Sequence, residues 1–321
     1  MSTTTTRDLA PPAPAKVSKD RPRRGLRANA TLNFWLFTGP FLIGLVIFVF
    51  VPIGWSVYLS FFEARFTVTP STFVGFDNYA QMLTNPDFTR SLGTFTVFAA
   101  FIVPTTWALS LGLALLVHRL RFMQAFFRSV FFVPTACSYV AAALIWKMSI
   151  FNGVRFGLMN TVLGWFGVEN VAWLANPDPP WYWLVIVTLR LWLQAGFYMI
   201  LFLAALQNIP SELYEAAAID GAKPGWQTFR YITLPQLRAT STAVILLLLI
   251  AAYQAFDEFF ALLGKATWGQ PPLVELYKTA LGENQDYGAG SAGAVILTLL
   301  ICLVTLFQGK IMGFGRGEES K

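Results

Sequence analysis

Charged residues are scarce in this sequence, and that restricts the kind of protein it can form. They make up 12% of the 321 residues, while hydrophobic residues make up 55%. An average soluble domain has about 25% charged residues. Six uncharged or nearly uncharged stretches are each about as long as a helix that crosses a bilayer. The composition excludes a soluble enzyme and predicts an all-α polytopic membrane protein.

Cysteine and histidine are nearly missing as well. Both cysteines, Cys137 and Cys302, lie in apolar stretches, so the sequence offers neither a disulfide framework nor a metal-binding cysteine cluster. A single histidine, His118, leaves histidine-based catalysis and metal binding without the groups they need. The phosphate-binding sequence Gly-x4-Gly-Lys-Ser/Thr does not occur either. We therefore expect no catalytic residue, no metal and no cofactor on this chain, and any ATP would be hydrolysed by another subunit.

Apolar segments of bilayer length recur along the chain and predict six membrane-spanning helices. Each is long enough to cross about 30 Å of hydrocarbon as an α-helix. Proline residues predict kinks in the second and third of them, at Pro104 and Pro134. The segments comprise residues 32–62, 91–117, 129–150, 182–206, 239–263 and 287–309.

The distribution of lysine and arginine predicts how these helices are oriented. Sixteen of the 23 lie before the first span, between the second and third, between the fourth and fifth, or after the sixth. Six lie in the opposite loops, and Arg190 lies within a span. Because positive residues favour the cytoplasmic side, both termini are expected in the cytoplasm. The net charge of +6 then reflects membrane topology, and no nucleic-acid partner is predicted.

These spans divide the chain into three parts. Residues 1–31 are rich in threonine, proline and arginine and are expected to form a disordered cytoplasmic tail near the lipid surface. Residues 32–312 form the six-helix transmembrane domain, and residues 313–321 form a short cytoplasmic tail.

The loop between the fourth and fifth spans, residues 207–238, has the pattern of a helix–turn–helix hairpin. The first helix begins at Ser211, whose hydroxyl is the expected cap of the free backbone N–H groups. Gly221 stands where a helix often ends in the left-handed conformation, and a Lys-Pro-Gly sequence then forces a turn. A second short helix is predicted from Trp226 to Tyr231, ending near Leu234-Pro235. With the predicted orientation, the hairpin lies in the cytoplasm.

The hairpin also carries a family motif. Glu215-Ala216-Ala217, followed by Gly221 and by Ile232-x-Leu234-Pro235, resembles the EAA loop of binding-protein-dependent ABC importer permeases. The subgroup that it most resembles is the carbohydrate permeases of the maltose and glycerol-3-phosphate type. Other matches to this family occur in order along residues 32–310, at Phe73–Tyr79, Phe127-Arg128, Phe132-Val133-Pro134, Leu206–Pro210, Phe256-Asp257 and Tyr287–Ala294.

This resemblance implies a function and a set of partners. The chain would be a permease subunit in a bacterial inner (plasma) membrane, passing a carbohydrate from an external solute-binding protein to the cytoplasm. It would pair with a second, homologous permease and with two ATPase subunits that bind ATP and Mg²⁺. The resemblance also implies a set of residues that couple the hairpin to the ATPase, namely Glu215, Ala216, Ala217, Asp220, Gly221, Ile232, Leu234 and Pro235.

A few charged residues lie inside the predicted spans. Arg190 is about nine residues into the fourth span, ~13 Å from its outer end, and Asp257 and Glu258 lie at a comparable depth in the fifth. Charges within a membrane face a partner or a cavity. One interpretation is a structural pair of Arg190 with Asp257 or Glu258. The other is a substrate path that combines these three residues with Gln194, Tyr198, Tyr253 and Gln254.

Two other classes of membrane protein compete with this interpretation. An ion-gradient-driven secondary transporter of a small polar solute would need carboxylates in several spans, whereas here they cluster at Asp257 and Glu258. A membrane enzyme would need a His/Asp or Asp/Asp pair at the membrane edge, which the sequence does not provide. Neither class needs the hairpin, so the hairpin favours the permease.

Overall fold

The chain is built from α-helices. The computed structural model describes residues 24–312, apart from residues 121, 224, 265 and 284. Within that part of the chain, β-type pairing is limited to two isolated bridges, Phe62–Phe73 and Arg65–Asp286. The described residues form fifteen α-helices: α1 (Arg24–Leu45), α2 (Val51–Leu59), α3 (Asp77–Thr84), α4 (Pro86–Arg119), α5 (Gln124–Phe132), α6 (Tyr139–Ile145), α7 (Leu158–Trp165), α8 (Tyr182–Gln207), α9 (Ser211–Ile219), α10 (Trp226–Thr228), α11 (Leu234–Gln236), α12 (Arg238–Tyr253), α13 (Asp257–Leu263), α14 (Pro272–Leu281) and α15 (Tyr287–Met312).

The chain divides into two units, Met1–Trp55 and Ser56–Lys321. The described part of the first unit is helical, with α1 continuing through a π-helical turn, Val46–Phe50, into the start of α2. Residues 24–31, expected in the N-terminal tail, belong to α1, because alanine, leucine and arginine favour a helix once the prolines have ended. The rest of that tail and residues 313–321 lie outside the described residues.

Four helical segments are long and apolar enough to cross a membrane, and two bent pairs qualify if each pair counts as one span. These six regions overlap the six predicted segments. The four segments are Thr31–Leu59, Pro86–Arg119, Tyr182–Gln207 and Tyr287–Lys310, and the bent pairs are Gln124–Ala136 with Tyr139–Ile150 and Trp226–Gln236 with Arg238–Tyr253.

The third and fifth predicted segments are not continuous helices. In the third, a 3₁₀ turn at Val133–Ala136 contains Pro134, and the chain bends by 97° before α6. Proline removes a helical hydrogen bond and so contributes to the bend at this place. In the fifth, α12 ends at Tyr253 and α13 begins at Asp257, with Phe256 at φ −143° between them. The predicted uninterrupted helix over residues 239–263 is therefore wrong.

Helix α8 lies at the centre of the second unit. It packs against α4, α5, α6, α12 and α13, and more than half of its residues are buried. Gly196 allows the closest of these approaches, because a Cβ atom there would overlap the carbonyl oxygen of Phe131 in α5. A residue without a side chain is therefore required where α8 and α5 meet.

The segment after α2 is held against the beginning of α15. The Asn78 amide donates to the carbonyl oxygens of Ser60 and Phe62, both at 2.9 Å. Gly288 brings α15 against the same place, since a Cβ atom there would lie too close to the Phe62 carbonyl oxygen. Asn78 belongs to the Phe73–Tyr79 motif, which also contributes the Phe62–Phe73 bridge and a Tyr79–Ser60 hydroxyl contact at 2.7 Å.

The loop after α6 is organised by one buried amide, that of Asn160. Its Nδ2 lies 3.1–3.3 Å from the carbonyl oxygens of Asn152, Val154 and Val171. Its Oδ1 accepts from the Val171 backbone N–H at 3.2 Å and from Trp173 Nε1 at 3.0 Å. The segment from 152 to 173 therefore folds around a single side chain.

We predict that Gly196→Ala destabilises the chain by about 1–3 kcal/mol, the usual effect of overpacking a tight contact. The measurement is thermal unfolding of the purified chain in detergent. The matched control is Gly112→Ala in α4, where a Cβ atom meets nothing within 4 Å and alanine should raise stability by about 0.5–1 kcal/mol. Equal unfolding temperatures for the two variants would contradict the close α8–α5 contact.

Candidate functional site

The first candidate site is the hairpin, whose helix α9 ends in a well-defined cap. Gly221 has φ +83°, so the left-handed conformation predicted for it is confirmed. The Ala222 N–H donates to the Ala217 carbonyl oxygen and the Gly221 N–H to that of Ala218, which satisfies two carbonyls at the helix end. A residue other than glycine would be strained at this position.

Helix α9 begins at Ser211 as predicted, but the cap of the helix differs from the prediction. Ser211 is the first helical residue, Pro210 precedes it as the cap residue, and no side chain caps the helix. The predicted hydroxyl cap is therefore wrong: Ser211 already lies inside the helix, where its side chain is not placed to reach the free N–H groups.

No residue of α9 is buried, and Ile219 is 87% exposed. The second arm of the hairpin runs through α10, a π-helical turn at Phe229–Thr233 and α11, so it ends near Leu234-Pro235 as predicted. Of the predicted coupling residues, Glu215, Ala216, Asp220, Gly221 and Pro235 are exposed, and Ala217, Ile232 and Leu234 are half-buried.

The second candidate site lies where α8 meets the break between α12 and α13. Arg190 Nη1 donates to Glu258 Oε1 at 2.8 Å, and the two side chains are 2% and 3% exposed. Of the two predicted partners, the structure selects Glu258. Water does not screen the charges of a buried pair. Each charge therefore depends on close, well-aligned contact with the other.

Arg190 also closes the break itself. Its Nη2 donates to the carbonyl oxygen of Ala251 at 2.6 Å, a group in the last turn of α12 that has no helical partner. At the other end of α13, Lys147 Nζ lies 3.0 Å from the Leu262 carbonyl oxygen and 3.4 Å from that of Ala261. Two cations from neighbouring elements thus bind the carbonyl ends of two successive helices.

Aromatic rings surround the Arg190–Glu258 pair. The Cζ atom of Arg190 lies 5.7 Å from the ring centroid of Phe98, close enough for a cation–π contact. Phe98 stacks on Trp183 with 5.1 Å between ring centroids and meets the edge of Phe259 at 5.7 Å. The rings keep water away from the pair and leave it in an apolar setting.

The other predicted path residues contact different helices. Gln194 Nε2 donates to Tyr139 Oη at 3.1 Å, and Tyr198 is buried. Tyr253 donates through its hydroxyl to Thr96 Oγ1 at 3.2 Å, so it contacts α4.

Gln254 and Asp257 lie at the break and are exposed, whereas the neighbouring Glu258 is buried. The break thus presents one amide and one carboxylate at the surface, next to a helix pair that is long and apolar enough to cross a membrane. Exposed polar groups within a membrane favour a water-filled cavity over lipid.

Sequence reasoning missed several residues of this site. Tyr139, Thr96 and Phe98 contact the predicted residues from other helices, and Lys147 contacts the end of α13; no sequence spacing connects them. Lys147 had one usable signal, since a lysine at the outer end of an apolar segment needs a partner. In the described part of the chain, no group of three or more His, Cys, Asp or Glu residues could hold a metal ion.

Comparisons with known proteins match almost the whole chain. Residues 28–313 match the family described as binding-protein-dependent transport system inner membrane component. The arabinooligosaccharides transport system permease protein AraP of Halalkalibacterium halodurans is 30% identical over 290 residues, covering 89% of this chain and 89% of that protein. The alpha-glucoside transport system permease protein AglF of Rhizobium meliloti is also 30% identical over 290 residues, covering 89% of this chain and 84% of that protein.

One solved structure has the same fold. It is the bacterial alginate ABC transporter in complex with an alginate pentasaccharide-bound periplasmic protein, and a chain in it superposes with a TM-score of 0.75. The sequence identity is 21%, over 90% of this chain and 96% of that chain.

We predict that Arg190→Met unfolds far more easily than the wild type, because it leaves Glu258 as a buried, unpaired carboxylate, a change of about 3–5 kcal/mol. Arg190→Met/Glu258→Met should recover most of that stability, since it removes both charges. Thermal unfolding in detergent measures both. The control is Arg65→Met, which breaks the Arg65–Asp286 pair, where Arg65 is 55% exposed, and should change stability by no more than about 1 kcal/mol. An Arg190→Met variant as stable as the wild type would show that the ion pair does not stabilise the fold.

Proposed function

The chain belongs to the family of binding-protein-dependent transport system inner membrane components, and we propose that it passes a carbohydrate across a bacterial inner membrane. The family is the permease component of ABC importers, so the chain is a transport subunit and not the ATP-hydrolysing enzyme. An ion-gradient-driven secondary transporter is not favoured, because the match covers residues 28–313 and names a binding-protein-dependent system.

The carbohydrate substrate is supported by the relatives. Their names specify arabinooligosaccharides and alpha-glucosides as the compounds that those proteins transport. Both relatives align with this chain over most of their length, so the similarity includes the membrane-spanning regions. We take an oligosaccharide or a related glycoside as the substrate class.

The topology proposed for this function has six spans with both termini in the cytoplasm. The lysine and arginine distribution supports it, with sixteen residues in the inner segments and six in the outer loops. The bent pair Gln124–Ala136 with Tyr139–Ile150 then counts as the third span, and the fifth span begins at Arg238, after the hairpin arm Trp226–Gln236. This topology places the hairpin of residues 207–238 on the cytoplasmic side.

The exposed hairpin helix is the observation that carries the proposed mechanism. A hairpin packed on its own bundle would bury its apolar residues, yet Leu213 and Ile219 of α9 are exposed. Small alanine residues between them allow close approach of another protein. We propose that α9 docks on an ATPase subunit, with Glu215, Ala216, Ala217, Asp220 and Gly221 at the contact and with Ile232, Leu234 and Pro235 supporting it from the second arm.

The complex proposed around this chain has four further subunits. They are a second, homologous permease, two ATPase subunits that bind ATP and Mg²⁺, and an extracytoplasmic solute-binding protein. The solved alginate transporter, whose chain shares the fold, was crystallised with its periplasmic protein. ATP-driven closure of the ATPase pair would move the hairpin and, through it, the spans that the hairpin joins, α8 and α12.

The substrate path is proposed to pass the break between α12 and α13. Gln254 and Asp257 supply an exposed amide and carboxylate there, groups that hydrogen-bond sugar hydroxyls. Arg190 and Glu258 are engaged with each other, so their role is to hold the break. Gln194, Tyr198 and Tyr253 support the surrounding helices from buried positions.

We predict that Gly221→Leu weakens ATPase docking about tenfold or more, because a non-glycine residue at φ +83° is strained by about 1–3 kcal/mol. Uptake should fall in parallel while the chain still inserts in the membrane. The measurement is the ATPase content of the purified complex together with ATP-dependent uptake. Gly167→Leu is the control, since Gly167 has φ +75° with open space around it, in the loop after α6. Normal uptake by Gly221→Leu would refute the docking role.

The function itself is tested by purifying the tagged chain from its native membrane in mild detergent. We expect a second permease and an ATPase to copurify, and the reconstituted complex to take up an oligosaccharide only with ATP and its solute-binding protein. A chain that purifies alone under several detergents and transports a solute in response to an ion gradient would overturn the proposal.

A further inference from the structure

A cavity of about 510 Å³ lies at the end of the bundle that carries the hairpin. The last turns of α4 and α8 form one side of it, and the hairpin forms the other. It is lined by Leu115, His118, Arg119, Leu206, Tyr214, Gly225, Trp226, Thr228, Phe229 and Thr233. Neither the interpretation of the hairpin as a docking element nor the proposed substrate path makes use of it.

The lining has an apolar floor and a basic rim. Leu115, Leu206 and Phe229 are apolar, and the Trp226 ring is 73% exposed beside them. His118 and Arg119 are exposed, and the lining contains no carboxylate. In the described part of the chain Arg119 forms no ion pair. The cavity therefore combines apolar surface with a cation that has no anionic partner in it.

The depth of the cavity fits the boundary between lipid and water. Arg119 is the last residue of α4, and Leu206 is the residue before the last in α8, so both membrane-spanning helices end here. Exposed tryptophan favours this boundary, where its ring contacts lipid and its N–H contacts water. A soluble anion would gain little from the apolar floor, whereas a lipid would use both parts of the lining.

We propose that this cavity binds an anionic phospholipid, with the headgroup phosphate at Arg119 and His118 and the upper acyl chains against Leu115 and Phe229. Basic pockets between membrane-spanning helices on the cytoplasmic side are suited to anionic headgroups. The bound lipid would contact a span and the hairpin at once, so it would brace the hairpin against the bundle.

The surface of α9 offered to the ATPase is separate from this cavity. Tyr214 lines the cavity, and Ala216, two residues further on, is turned from it by about 200° at 100° per residue. Ala216 and Ile219 are exposed, whereas Tyr214 is half-buried. A lipid in the cavity and an ATPase on α9 can therefore be present together.

The test is native mass spectrometry of the full-length chain, purified in its complex and titrated with phosphatidylglycerol or phosphatidylcholine. We expect preferential retention of phosphatidylglycerol. Arg119→Gln should weaken it about fivefold, the change that corresponds to about 1 kcal/mol for one basic residue near an anionic membrane surface. Leu115→Trp, which fills the cavity and keeps both basic residues, should also weaken it.

Arg230→Gln is the matched control, because Arg230 is an exposed residue of the same hairpin arm and does not line the cavity. It should retain phosphatidylglycerol as the wild type does. Equal weakening by Arg230→Gln and Arg119→Gln would show general attraction to a basic surface and overturn the site. Equal retention of the two lipids, or release of phosphatidylglycerol when the ATPase binds, would overturn it as well.

Discussion

The buried ion pair between Arg190 and Glu258 is the interaction on which the arrangement of the second unit depends. A guanidinium group in an apolar interior is unfavourable unless its surroundings compensate it. Here a carboxylate, a helix-end carbonyl and an aromatic ring contact it, while its Nε has no hydrogen-bond partner among the described residues. These three partners belong to α13, α12 and α4, so a single side chain of α8 fixes the relative positions of four helices. The interruption between α12 and α13 is stabilised because Arg190 satisfies a carbonyl group that the interruption leaves free.

Local chemistry determined what could be predicted from the sequence. The positions of the apolar segments follow from composition, and the conformation of Gly221 follows from the short-range geometry of a helix end. The pairing of Arg190 with a carboxylate of the fifth span was also predictable, since few groups inside a membrane can neutralise an arginine. The family resemblance, which depends on several motifs in order, is confirmed by the match over residues 28–313.

The features that could not be predicted depend on contacts between distant residues. Gln254, Ala255 and Phe256 include neither glycine nor proline, so nothing local indicates that a helix stops there; the stop is set by Arg190, more than sixty residues earlier. The 97° bend after Ala136 is larger than a proline alone implies, and the contact at Gly196 brings the α5 backbone onto α8 just before it. The tyrosine and threonine partners, Tyr139 and Thr96, are visible only once the helices are packed.

The amide of Asn160 has a consequence for how the loop after α6 can change over evolution. All of its hydrogen-bonding capacity is committed, with the nitrogen directed at three carbonyl oxygens and the oxygen at two N–H groups. Aspartate has nearly the same shape, but it would place a second acceptor oxygen against those carbonyl oxygens. Three attractive contacts would then become repulsive. The exposed residues around it, by contrast, are free to diverge while the loop keeps its shape.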